Sequence, residues 1–319
     1  MSQAFADSFI QSSEHLYEDV LKGLLYSKQK FIPNYYFFDS QGAIYYDEMI
    51  DSPEYYMTPC EISILHKQAE DINKALGKDI TVFELGCSES IKTRLLLDSL
   101  DENTNYIAID SDQESLNNHV EQLNCIYENM GIESLNQNFY ETIDLPEAMS
   151  EKKNKVIFFA GSHIGSLAPE QALKFLKSLK NQFKAGTQLL IGHDLLKSSN
   201  TLEAAYVDKK NCASRFNTNL LRRINRELGS DFNLNKFKHR AIFNRQQNRV
   251  EMHLVSLEHQ TVNIKGHKIH FIKGESIHTK SAYKYTHLQF TQLLSAAGWQ
   301  CGKHWVDSKN WYNLQLAQC

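Results

Sequence analysis

The 319-residue sequence has no CxxC pair; its six cysteines (60, 87, 125, 212, 301 and 319) are scattered. That pattern excludes a disulfide frame and a zinc knuckle, and it points to reduced thiols in a cytoplasmic protein. No apolar run approaches the length needed to span a bilayer, so no membrane partner is expected. The opening residues Met1-Ser2-Gln3-Ala4-Phe5-Ala6-Asp7 have neither the basic start nor the apolar core of a signal peptide. Charge of one sign is lacking too: 34 basic against 38 acidic residues leave a net −4, which gives no electrostatic appetite for nucleic acid. Internal repeats, low-complexity stretches and a Ser-His-Asp or Cys-His signature are also missing. A hydrophobic fraction of 42% and a charged fraction of 23% remain, as in a globular protein of one large domain or two moderate ones.

The chain is organised around Asp79-Ile80-Thr81-Val82-Phe83-Glu84-Leu85-Gly86-Cys87-Ser88-Glu89-Ser90. A β-branched and aromatic run ends in an acid and a glycine, and Ile91-Lys92-Thr93-Arg94-Leu95-Leu96-Leu97 resumes at helical spacing. This reads as a buried strand, a tight turn and a helix N-terminus, with a ligand beyond the strand's carboxyl end. One unit later Asn105-Tyr106-Ile107-Ala108-Ile109-Asp110 ends in an acid able to accept both hydroxyls of a ribose. By themselves these two signals also fit an ordinary α/β turn.

Helical spacing predicts a first helix up to about residue 30, through Phe9, Ile10, Leu16, Val20, Leu21, Leu24 and Leu25. A tyrosine-rich stretch (35–59) follows, whose rings either pack or line a pocket. A helix over 61–76 leads into strict alternation: strand 79–85, helix 91–100, strand 105–110, helix 113–129, strand 132–138, strand 156–159, helix 169–184 and strand 187–192. Alternation predicts an α/β fold with a parallel sheet covered on both faces. Glycines end the fourth and fifth strands, in Gly161-Ser162-His163-Ile164-Gly165-Ser166 and Gly192-His193-Asp194. Beyond 195 the pattern becomes helical over 200–228, then period-two over about 240–285, predicting an antiparallel meander. A helix over 288–297 and a strand over 310–316 close the chain, as if one domain were inserted in another.

These residues resemble the histidine Nα-methyltransferases of ergothioneine biosynthesis, which use S-adenosylmethionine. The carriers are Tyr36-Phe37-Phe38-Asp39, Ser52-Pro53-Glu54-Tyr55-Tyr56, Glu84-Leu85-Gly86, Ser90-Ile91-Lys92-Thr93-Arg94, Gly161-Ser162-His163-Ile164-Gly165, Asp194-Leu195-Leu196-Lys197, Phe216-Asn217-Thr218-Asn219, Ile224-Asn225-Arg226-Glu227 and Glu251-Met252-His253-Leu254. The resemblance implies a Rossmann-like class I methyltransferase sheet from residues 60–194 and 286–319. It also implies an α+β substrate-binding domain from 1–59 and 195–285, with both ligands buried between the two. S-adenosyl-L-methionine is the implied cofactor, and a small-molecule amine or amino acid is the implied partner of a monomer. Phe38, Gly86, Lys92, Asp110, Asn138, Phe139, Gly161 and Ser162 are the implied cofactor contacts. Tyr46, Tyr55, Tyr56, Gly161, Ser166 and Tyr206 fall where the family binds its amino acid, with Tyr55, Tyr56 and Tyr206 orienting the amine. No protein nucleophile is needed, because the sulfonium is already a strong electrophile.

The chain departs from the family mainly at the substrate positions. The family's Thr-Ile-Gly-Asn is His163-Ile164-Gly165-Ser166 here, and its Thr-Glu-x-Ser is Thr279-Lys280-Ser281-Ala282. An asparagine that would hold the amine and carboxylate is a serine, and the Glu and Ser that would hold an imidazole are Lys280 and Ala282. On the cofactor side the second glycine of the turn is Ser88, and the acid before Phe139 is Asn138, which keeps an oxygen acceptor for the adenine amine. Expected, then, is an N-methyltransferase acting on an amine other than histidine; a true histidine enzyme and a non-catalytic cofactor-binding protein are the alternatives. His163 and His193 end neighbouring strands and could face one cavity, joined by Lys280. Either they are hydrogen-bonded and fill space, or the cluster receives an acidic group. Two histidines without a third ligand do not make a metal site.

Overall fold

A computed structural model describes residues 13–87, 90–152 and 154–319. Phe9 and Ile10 of the expected first helix, and Ser88 of the glycine turn, lie outside them. The described residues open with helices α1 (Ser13–Leu25) and α2 (Ser40–Ile50). Helices α3 (Met57–Lys67) and α4 (Ala69–Leu76) lead into β1 (Thr81–Leu85), α5 (Ser90–Leu97), β2 (Asn105–Asp110), α6 (Gln113–Asn124), β3 (Gly131–Asn136), α7 (Glu147–Ser150), β4 (Lys155–Phe159), α8 (Pro169–Phe183) and β5 (Gln188–Asp194). Then come α9 (Ser199–Ala204), α10 (Cys212–Leu228), β6 (Phe237–Asn244), β7 (Arg249–Ser256), β8 (Gln260–Ile264), β9 (His267–Phe271), β10 (Ser276–Tyr283), α11 (His287–Ala296), β11 (Gln300–Val306) and β12 (Tyr312–Gln318).

Two compact units result, one of Met57–Leu196 with Tyr283–Cys319, the other of the chain up to Tyr56 with Lys197–Ala282. The first holds a seven-stranded sheet in the order β11-β12-β5-β4-β1-β2-β3. Its β1 to β5 pair parallel, and β12 runs antiparallel between β5 and β11. This is the class I methyltransferase arrangement the sequence reading expects. β1, and β4 from Val156 onward, are buried on both faces, as β-branched and aromatic runs require. The chain reverses its direction of travel across the sheet between β1 and β4, so the crevice at their carboxyl ends is the topological switch point. Gly86 and Gly161 stand there.

The unit continues to Leu196 because the chain stays paired past β5: Leu196 N donates to the Tyr285 carbonyl and Leu195 N to that of Trp311. The other unit contains a three-stranded sheet (β10-β7-β6) and a separate hairpin (β8-β9), where the sequence pattern predicts one meander. Helix 200–228 is two helices: Asp208 accepts from the amides of Cys212 and Ala213, ending one segment and starting the next, and Tyr206 lies in the break. Likewise 61–76 breaks at Gln68 into α3 and α4. β11 has no counterpart in the sequence reading, since its residues are mostly exposed and do not alternate.

Candidate active site

At the strand ends of the seven-stranded unit, Gly86 turns with φ +77, and a Cβ there would stand 3.3 Å from the Phe139 ring and 3.8 Å from His163 Nε2. Gly161 turns with φ +74, and its Cβ would meet the His163 imidazole at 2.9 Å and Lys92 Nζ at 3.6 Å. Five sequence-predicted residues, Gly86, Lys92, Phe139, Gly161 and His163, are thus neighbours around two bare backbone positions. Asp110 closes the group at the end of β2. Its Oδ2 accepts from Cys87 N at 3.2 Å and its Oδ1 from Asp112 N at 3.0 Å. Burial holds the Asp110 carboxyl above its ordinary range, against those backbone donors.

Lys92 is buried, and its ammonium pairs with Glu61 at 3.0 Å. Asn138 is buried as well; its oxygen accepts from Tyr140 N and its amide group donates to Glu141 Oε1 at 2.6 Å. Glu141, which the sequence reading does not single out, thus fixes the Asn138 amide. Ser162 is in the left-handed region (φ +57), and its Oγ accepts from Asp194 N at 3.0 Å. Ser166 ends a short 3-10 turn begun by His163.

The His163 ring stacks on Phe159, with centroids 5.8 Å apart. His193 is fully buried, hydrogen-bonded through Nε2 to Asn313 on β12 and stacked 3.8 Å from the Phe290 ring of α11. For His193, these contacts match the hydrogen-bonded, space-filling alternative. Beside it Asp194 and Lys284, both buried, form an ion pair of 2.6 Å. Among the described residues no group of three His, Cys, Asp or Glu is placed to hold a metal ion.

Beneath the glycine turn, Glu84 is buried and its Oε2 accepts from Thr93 Oγ1 at 2.7 Å and from Tyr106 OH at 2.6 Å. Tyr106 OH lies 2.8 Å from His119 Nε2. Burial pushes the Glu84 carboxyl up from 4.5 to about 7 and the His119 imidazole down to about 4. An acid with a raised folded pKa favours folding while protonated, and that stability fades as pH climbs from about 4.5 through about 7. Glu84→Gln should therefore flatten the pH dependence of stability across this window, by up to ~3 kcal/mol. Denaturant titrations at several pH values check this; an unchanged slope in the variant would remove Glu84 as its source.

The other unit carries the tyrosines. Tyr55 and Tyr206 are buried, their rings 6.3 Å apart and edge-on. Lys197, outside the sequence prediction, donates to Tyr56 OH at 2.8 Å and lies 4.3 Å over the Tyr56 ring. Tyr206 is held by its carbonyl, which lies 2.7 Å from His239 Nε2. Phe38 is 51% exposed and packs on Tyr46 and Phe216. Lys280 lies over the Tyr46 and Phe216 rings at 5.6 and 5.8 Å. Ala282 is buried.

The family model for histidine-specific, S-adenosylmethionine-dependent methyltransferases matches residues 16–319. The chain belongs to this family. It is 32% identical over 311 residues to a histidine N-alpha-methyltransferase of Mycolicibacterium smegmatis, covering 96% of this chain and 95% of the relative. It is 27% identical over 336 residues to an L-tryptophan methyltransferase of Psilocybe serbica, covering 96% and 93%. Among solved structures it is similar to a methyltransferase of Aquifex aeolicus that depends on S-adenosylmethionine, at 15% identity and a TM-score of 0.43, over 88% of this chain and 98% of that one. The protein is an N-methyltransferase that uses S-adenosylmethionine.

The strand ends fit that cofactor. Asp110 stands at the end of β2 with both oxygens held by backbone N–H groups, a fixed acceptor of the kind a ribose diol needs. Gly86 leaves bare the backbone in front of the flat Phe139 ring, where a Cβ would intrude. Bound S-adenosylmethionine supplies an electrophilic methyl group on sulfur.

Proposed function

We propose that the enzyme methylates the amine nitrogen of an amino acid or related small amine other than histidine. In this reading Asp110 holds the ribose, Phe139 packs on the adenine, and Asn138 with Glu141 faces its amine. Gly86, Lys92, Gly161 and Ser162 frame the methionine part, and Phe38 is a further cofactor contact. Tyr55, Tyr56 and Tyr206 orient the acceptor nitrogen with Tyr46, Gly161, His163 and Ser166, Lys197 steadying the Tyr56 hydroxyl by its hydrogen bond. Tyrosines suit this role, since a flat wall excludes water while the hydroxyl fixes a lone pair in line with the methyl.

The observation that carries the reading is Lys280 over Tyr46 and Phe216. An ammonium has three donors and no acceptor. It cannot take the N–H of an imidazole, it repels an imidazolium, and the buried methyl of Ala282 offers nothing in exchange. It suits a side chain that is acidic or accepts hydrogen bonds. The relative named for tryptophan supports a family whose members need not share histidine as acceptor. We place the enzyme in the cytoplasm as a monomer acting on small molecules: its six cysteines are free thiols, and a net charge of −4 gives it no pull toward nucleic acid.

Release of S-adenosylhomocysteine across a panel of amino acids and amines tests this. Turnover is expected on a non-imidazole member, with histidine at least about 100-fold poorer in kcat/KM. Histidine as the best member would overturn the assignment.

A further inference from the structure

Glu61, on α3, is a side chain the sequence reading passes over as the first residue of a helix. It is fully buried. Gly161 N donates to both of its oxygens, at 3.1 and 2.9 Å. Tyr312 OH donates to Oε1 at 2.9 Å, and Lys92 pairs with Oε2. Burial and the Glu61 charge hold the Tyr312 phenol well above its ordinary range, so it stays a donor. β5 carries a glycine where this carboxylate passes: a Cβ on Gly192 would stand 2.3 Å from Glu61 Oε1.

Pairing with Lys92 alone would neutralise a buried carboxylate. The arrangement does more. Gly161 and Ser162 both have positive φ, a conformation that a serine keeps only where its surroundings hold it. The amide that starts this turn is the one gripped by both Glu61 oxygens. Lys92, another of its partners, sits in the helix that follows the Gly86 turn. One carboxylate therefore ties together the turns leaving β1 and β4, the two strands of the switch point.

We propose that Glu61 is a positioning residue for methyl transfer: it sets the Gly161–His163 turn and Lys92 in register with the Gly86 turn. The proposal rests on the reading of Gly161 and Lys92 as parts of the reactive site. Glu61→Gln with Lys92→Met separates register from charge. The double variant holds no buried unpaired charge, so its Tm should return to within a few degrees of wild type. Yet whichever way the glutamine amide turns, its NH2 faces the Gly161 N–H, donor against donor, and the turn must shift. Measured against Lys92→Met alone, the double variant is expected to raise the dissociation constant for S-adenosylhomocysteine about a further tenfold, read by calorimetry, with a kcat that falls with it while Tm does not.

A double variant with wild-type Tm and no loss of affinity or kcat beyond that of Lys92→Met would overturn the proposal and leave Glu61 as filling. Gly161→Ala probes the site reading separately, since its Cβ would strike the His163 ring. If Gly161→Ala loses binding and turnover while the double variant loses no more than Lys92→Met, only the role of Glu61 fails. If Gly161→Ala loses neither, the site reading fails and this proposal falls with it. Should the double variant not fold, amide exchange in the wild-type enzyme decides: slow exchange at Gly161 is expected, and exchange at the rate of an open loop contradicts the grip.

Discussion

Asp110→Ala should weaken binding of S-adenosylhomocysteine by about 10- to 100-fold, because charge-assisted hydrogen bonds are lost at a partly buried carboxylate. The loss has two sources. The carboxylate is the ribose acceptor in the proposed site, and it also fixes the turn after β1 through Cys87 N and the entry to α6 through Asp112 N. Asp110→Asn keeps one oxygen and should fall between wild type and alanine. Calorimetry reads both variants, with Tm as the control for folding. Wild-type affinity in Asp110→Ala would put the cofactor somewhere other than the end of β2.

The second large effect is expected in the triple substitution Ser166→Asn, Lys280→Glu and Ala282→Ser. Activity on histidine should rise about 100-fold or more in kcat/KM, since a pocket built to hydrogen-bond a group rejects ligands that leave its polar atoms unpaired. Lys280→Glu should carry most of the change: it replaces a donor-only cation with an acceptor and reverses the charge. It also removes the cation from the Tyr46 and Phe216 faces, at a cost of about 0.5–1 kcal/mol at a half-exposed site. Activity on the native acceptor should drop in the same variant. No gain on histidine, with Tm maintained, would mean that these three positions do not set specificity.

The parts of the fold legible in the sequence were those where burial forces a pattern. β1, β2 and β4 are short apolar runs because both faces of a parallel sheet are covered, and each ends in the acid or glycine that chemistry at a strand end requires. The parts not legible have a physical reason too. β11 is largely exposed, so its residues carry no alternation. The break between α9 and α10 is set by one side chain, Asp208, reaching two amides, which periodicity does not register.

Within the candidate site, Gly86, Lys92, Phe139, Gly161 and His163 are brought together as neighbours. His193 is not, because β5 continues through it and α11 covers it. Glu61 is hidden in the sequence because an isolated acid at the start of a helix usually faces water. The signal is that it stands three and four residues before Ile64 and Leu65, on their apolar stripe. Lys284, between Tyr283 and Tyr285, is hidden in the same way, and its partner Asp194 identifies it only in three dimensions.

The most direct measurement of the central claim is a competition. The enzyme is given methyl-labelled S-adenosylmethionine and an equimolar mixture of amino acids and small amines that includes histidine, and the labelled products are read by mass spectrometry. Label is expected on the amine nitrogen of a non-imidazole acceptor, with histidine essentially unlabelled. Label accumulating chiefly on the α-nitrogen of histidine would contradict that claim.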